Sequence, residues 1–130
     1  MSLDDVRADL KKIYEVISDQ RPFFAASLAE ADVQRWSAST GVSRAALYDQ
    51  IAIYLARGYY SSDLTFTFCD AVVNDIYGVI TGANEDRPKL FWSVYLAFDE
   101  GEYHHNNNRD EDPEEVYTRP QIAQILKTII

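Results

Sequence analysis

The chain has 130 residues, which fits one domain with a single core, and 21 acidic against 12 basic residues leave it a formal net charge of -9. That balance repels a phosphate backbone at long range and argues against nucleic acid as a partner, whereas another protein, and a basic one above all, is easily accommodated. The single cysteine, Cys69, excludes an intrachain disulfide framework and fits a reducing compartment, and no apolar run approaches the length of a membrane span.

Hydrophobic residues make up 47% of the chain, enough for that core, and the aromatic residues are weighted to tyrosine: nine Tyr, six Phe and two Trp. A tyrosine ring packs while its hydroxyl reaches water or a partner, so this weighting predicts a wide half-buried zone. A cleft, a homodimer face or the large surface of a small protein would each provide one.

The opening segment, MSLDDVRADLKK, is acidic and polar, unlike a signal peptide, and the cytoplasm is the expected location. Ser2 with Asp5 three residues on makes a variant capping box. Leu3, Val6, Leu10, Ile13 and Ile17 recur at spacings of three and four, which predicts an amphipathic helix over residues 3–17. Residues 18–22, which end in Pro22, are the expected break, since proline restricts the residue before it. Ser27 and Glu30 form a capping box for a second helix reaching about Ser39, with a thin apolar face of Leu28, Ala31 and Trp36 and with Val33 off that line. Gly41 ends it. Ser43 opens a third helix whose buried stripe is Leu47, Ile51, Tyr54, Leu55 and Gly58, and the RGYY run at 57–60 closes it.

Ser61 or Ser62 is the expected cap of a fourth helix over 63–80, broad-faced and central, with Phe68, Cys69, Val72, Val73, Ile76, Tyr77 and Ile80 as its apolar residues. The fifth is expected over 88–103, with Pro88 in its first turn and apolar residues around most of its surface. Residues 104–116 read as loop. Thr118 with Gln121 fits a last N-terminal box, before Ile122, Ile125, Leu126 and Ile129. The sum is an all-α fold, an irregular bundle of five to six helices forming a single domain over 1–130, with an exposed acidic loop near 104–116.

Side chains of chemical use crowd together in one place, FDEGEYHHNNNRDEDPEE at 98–115. If the fifth helix runs on, Phe91, Tyr95, Phe98, Glu102 and His105 form one ridge that passes from aromatic to ionisable as it leaves the core. Glu100 and His104 make a second pair, and Asp70, Asn74 and Asp75 of the fourth helix are placed to join. A carboxylate with an imidazole can hold a metal ion or move a proton. The chain has two histidines in all and no HExxH pattern, so the expectation is no catalytic residue, no metal and no cofactor. Cys69, in TFTFCDAVV, reads as a small buried hydrophobe rather than a nucleophile.

A second stretch, WSASTGVSRAALY at 36–48, resembles the turn and the start of the recognition helix of bacterial helix-turn-helix regulators, and the likeness covers residues 28–50. Gly41 matches the turn glycine, Val42 the small apolar residue, Ser43 the cap and Leu47 the core position. The resemblance implies that Ser43 and Arg44, with Tyr48 as a further candidate, face DNA. The plainer account of the same residues is that Gly41 stops one helix and Ser43 caps the next.

The function favoured by these features is protein–protein interaction, with Glu102, Tyr103, Asp110, Glu111 and Asp112 as the contact residues. In size, charge and helicity, though in no motif, the chain is similar to proteins that neutralise nucleic-acid-degrading toxins, so an inhibitory or immunity-like role is one instance. The alternatives are a metal protein or enzyme using Glu102, His104 and His105, and a DNA-binding regulator acting through 28–50.

Overall fold

The computed structural model describes residues 1–15 and 28–129. Among them the chain forms six α-helices and no strand: α1 Leu3–Glu15, α2 Glu30–Thr40, α3 Arg44–Tyr60, α4 Phe66–Gly82, α5 Lys89–Glu100 and α6 Arg119–Thr128. The all-α bundle expected from the periodicity is the fold observed. The expected extension of the first helix to Ile17, the break before Pro22 and the cap at Ser27 fall outside the described residues. No helix among the described residues is long and apolar enough to cross a membrane.

Two helix starts form as their sequences direct. Ser2 N–H donates to Asp5 Oδ2 at 2.8 Å while Asp5 N–H donates back to Ser2 Oγ at 3.3 Å, the reciprocal bonds of a capping box. At α3 the Ala46 N–H donates to Ser43 Oγ at 3.2 Å. Gly41 stops α2 in the left-handed region at φ 73°, with its N–H bonded to Ser37 O.

Other boundaries differ from expectation, each for a visible reason. In α2, Val33 and Trp36 are the buried pair and Ala31 is exposed, because Val33 and Trp36 share the face turned to α3. Neither Ser61 nor Ser62 caps α4. Ser61 closes α3 with its N–H on Arg57 O, Ser62 turns the chain at φ 68°, and Leu64 folds back over Gly58, where any Cβ would overlap it. The cap is Thr65, whose Oγ1 accepts from Phe68 N–H at 3.1 Å. Thr118 does not cap α6 with its side chain. It is fully buried, and its Oγ1 donates to Ala97 O of α5 at 2.7 Å.

The core gathers where α5 packs against α3, α4 and α6, and α3 against α2. Trp36, Tyr48, Phe91 and Phe98 are its largest fully buried side chains. Truncation of Phe91 or Phe98 to alanine would cost about 3–5 kcal/mol. Cys69 lies at 0% exposure with its Sγ toward Leu55 O, and burial pushes its thiol well above the usual range, so it behaves as a core residue and not as a nucleophile.

Candidate functional site

Helix α5 stops at Glu100, so the ridge expected to carry Phe98 on to Glu102 and His105 is broken at Gly101. Thr118 and the Phe66 ring press on that glycine so closely that a Cβ there would collide with Thr118 Oγ1. The chain must leave the helical path at the one residue whose lack of a side chain admits this approach. The stretch 104–116, expected as plain loop, holds a 3-10 turn, His105–Asn107, and the start of one π-helical turn, Glu114–Thr118, that leads straight into α6.

Both ends of this connection are fixed to the bundle. His105 Nε2 lies 2.8 Å from Glu100 O; a carbonyl only accepts, so Nε2 carries the proton and satisfies an end carbonyl of α5. Gln121 Nε2 donates to Glu100 Oε2 at 2.6 Å. Tyr59 OH, from the RGYY run, donates to Glu114 Oε1 at 2.9 Å, with the Arg119 guanidinium over its ring, and Tyr59 is thereby buried while Tyr60 stays half exposed.

Between these anchors three rings stack. His105 sits 4.4 Å from the Tyr103 centroid and 3.7 Å from that of Tyr117, with its plane within 25° of both. Tyr103 is 52% exposed and Val116, beside Tyr117, 43%. Desolvation first, and then the Glu111 and Glu100 carboxylates, push the Tyr117 hydroxyl upward, which places acid around the stack. The acidic tract is exposed at Asp110 and Asp112 and half-buried at Glu111. It is held by short local bonds: Asn108 Nδ2 donates to Glu111 Oε1 at 2.6 Å, and Glu114 N–H donates to Asp112 Oδ1 at 3.0 Å.

Glu102 turns the other way, to α4. Asn74 Nδ2 donates to Glu102 Oε2 at 3.1 Å and to Asp70 Oδ1 at 3.2 Å. Burial, then the bond to Glu102, raise the Asp70 carboxyl well above the usual carboxylate range. Asp99 of α5 is raised too, by burial and by Glu102. Asp70 and Asn74 thus do join Glu102, as their place on α4 allows. Asp75 does not: it accepts from Tyr14 OH at 2.5 Å.

Glu102, His104 and His105 do not converge. Glu102 meets Asn74, His105 meets Glu100 O, and His104 is exposed. Among the described residues no group of three His, Cys, Asp or Glu side chains is placed to hold a metal ion.

The residues that the helix-turn-helix resemblance assigns to DNA are engaged internally. Ser43 caps α3. Arg44 forks onto Glu30 at 2.6 and 2.7 Å and onto Glu85 at 2.9 and 3.0 Å. Tyr48, 1% exposed, donates to Glu85 Oε1 at 2.7 Å and accepts from Arg44. This node joins α2, α3 and the α4–α5 connection. Its partners lie 14 and 41 residues from Arg44, so no local pattern could have revealed it.

Comparison of the chain with protein-family models, curated proteins and solved structures finds no match.

Proposed function

We propose that the chain acts by binding another protein, with the α5–α6 connection as the contact face and a basic surface as the complement. The observation that carries this reading is the Tyr103–His105–Tyr117 stack, anchored at both ends and set among carboxylates. Rigid aromatic rings lose little freedom on contact, and a lysine or arginine can rest on a ring while it pairs with acid. Glu111 beside the stack and the exposed Asp110 and Asp112 supply that acid, and the field of a chain at -9 speeds encounter with a basic partner. An inhibitory, immunity-like role is one form that such binding would take, and the cytoplasm suits a chain with one buried thiol.

The test is parallel capture from the chain's own cell extract, using the native protein and the triple variant Asp110→Asn, Glu111→Gln, Asp112→Asn. A basic protein held by the native chain, weakened by salt and lost with the variant, is the expected result. Equal capture by both would remove the acidic tract from the interface, and capture of nothing would remove the proposal.

A further inference from the structure

A second face continues from Glu102 along the seam between α4 and α5. Trp92 and Tyr95 of α5 stack 4.9 Å apart with planes 10° from parallel, and Tyr77 of α4 lies 4.8 Å from Tyr95 and 5.7 Å from Trp92. All three are only half-buried, and Leu96 beside them is 38% exposed. Six-membered rings in such a slab present faces that attract cations. One end already shows this, for the Arg87 guanidinium sits 3.9 Å over Trp92.

The other end is different. Asp99 lies one helical turn beyond Tyr95, near enough for its charge to act on Asp70 and for that of Glu102 to act on it. Among the described residues none of these three carboxyl groups pairs with a lysine or arginine. Asn74, the amide that bridges Asp70 and Glu102, neutralises nothing, and Asp70 and Asp99 both hold protons more tightly than usual, through burial first and then through Glu102. The seam therefore offers an aromatic floor running into a carboxylate end that no lysine or arginine among the described residues answers.

We infer that the α4–α5 seam docks an arginine-bearing segment of a partner protein, with a guanidinium against Tyr95 and paired with Asp99 and Glu102, and aliphatic stem carbons along Leu96. The inference rests on the reading of the chain as a protein-binding module and adds a site outside the α5–α6 connection. Arginine fits better than lysine, since its planar head stacks on a ring while forking to carboxylates.

The two tryptophans make the test direct. Trp36 is fully buried with its indole N–H on Asp9 at 2.9 Å, whereas Trp92 lies in the seam, so the indole resonances report a silent control and the site. The probe is an acetylated, amidated alanine peptide with arginine at every fourth position, beside its glutamate counterpart. The arginine peptide should move the Trp92 indole and leave Trp36 in place, and the glutamate peptide should move neither. Asp99→Asn with Glu102→Gln should weaken that response roughly five- to tenfold. Arg87→Ala, which frees the face of Trp92, should not weaken it. Shifts confined to Tyr103 and the acidic tract would overturn the seam and leave the α5–α6 face standing; shifts at Trp92 alone would do the reverse. A Trp92 shift with protein concentration alone would place a second copy of the chain on the seam and overturn the inference, as would no response at all.

Discussion

The Arg44 node and the Asp70–Glu102 cluster are built from similar parts and differ in one. At Arg44 a single guanidinium answers two carboxylates and a tyrosine hydroxyl, and three segments of chain are joined. At Asp70 an asparagine bridges two carboxyl groups, Asp70 and Glu102, with the charge of Asp99 acting on Asp70, and among the described residues no lysine or arginine pairs with any of the three. With few basic residues to distribute, the chain uses one to close the fold and leaves the other site electrically open. A charge cluster that is complete within the molecule needs no partner, and one that is incomplete has a reason to take one.

The largest expected effect breaks the complete site. Arg44→Ala leaves Glu30 and Glu85 unanswered and should cost about 2–3 kcal/mol in urea unfolding, below the value for a wholly buried pair because the guanidinium keeps some solvent. Arg44→Lys should recover only part of this, since an ammonium cannot fork onto two carboxylates. A loss below about 0.5 kcal/mol would make the node a surface pair and remove its side of the contrast.

Next in size is Gly101, the hinge from which Glu102 goes to the open site and the stack to the other face. Gly101→Ala should destabilise by about 1–3 kcal/mol through collision with Thr118. Combining it with Thr118→Ala should cost less than the sum of the two single changes, because the second removes the atom struck. Additive costs in the same unfolding measurement would refute this packing.

These two positions also mark how far the sequence could be read. The helices were legible because their apolar stripes repeat at the helical period, and Ser2 and Ser43 because a cap acts within its own first turn. The end of α5 was not: 98–105 continues a helical pattern, and only the arrival of Thr118 and Phe66 from distant parts of the chain makes position 101 a corner. Thr65 does not stand out in the sequence as the cap of α4, because that role depends on how Leu64 folds back on Gly58. At the candidate site the residue types were legible and their grouping was not. Glu102 and His105 look like one ridge in the sequence and lie on two faces in the molecule, while Asp99, Trp92 and Tyr95 gain meaning only beside α4.

The open site has its own signature in pH. Asp70 holds a proton in the folded chain that it loses at an ordinary carboxylate value, about 3.8, when unfolded. Its contribution to stability is full below that value and declines as pH rises toward the raised folded one. Asp70→Asn removes this decline, so the variant should match the native chain in acid and gain on it toward neutrality, by about 1 kcal/mol. Thermal unfolding across pH reads the difference. Parallel curves would mean that Asp70 ionises normally, and the cluster would then not be short of a cation.

The smallest expected effect is on stability in the acidic tract, and its smallness is what matters. Asp110→Asn, Glu111→Gln and Asp112→Asn together take the charge from -9 to -6 by removing three negative charges. Each substitution keeps an amide oxygen that can accept the local bonds from Asn108 and Glu114. Stability should therefore change by less than about 0.5 kcal/mol, even though binding to a basic partner is expected to be lost. A larger fall in urea unfolding would place the tract with Arg44, as charge that the fold itself requires, and its exposure would no longer argue for a partner.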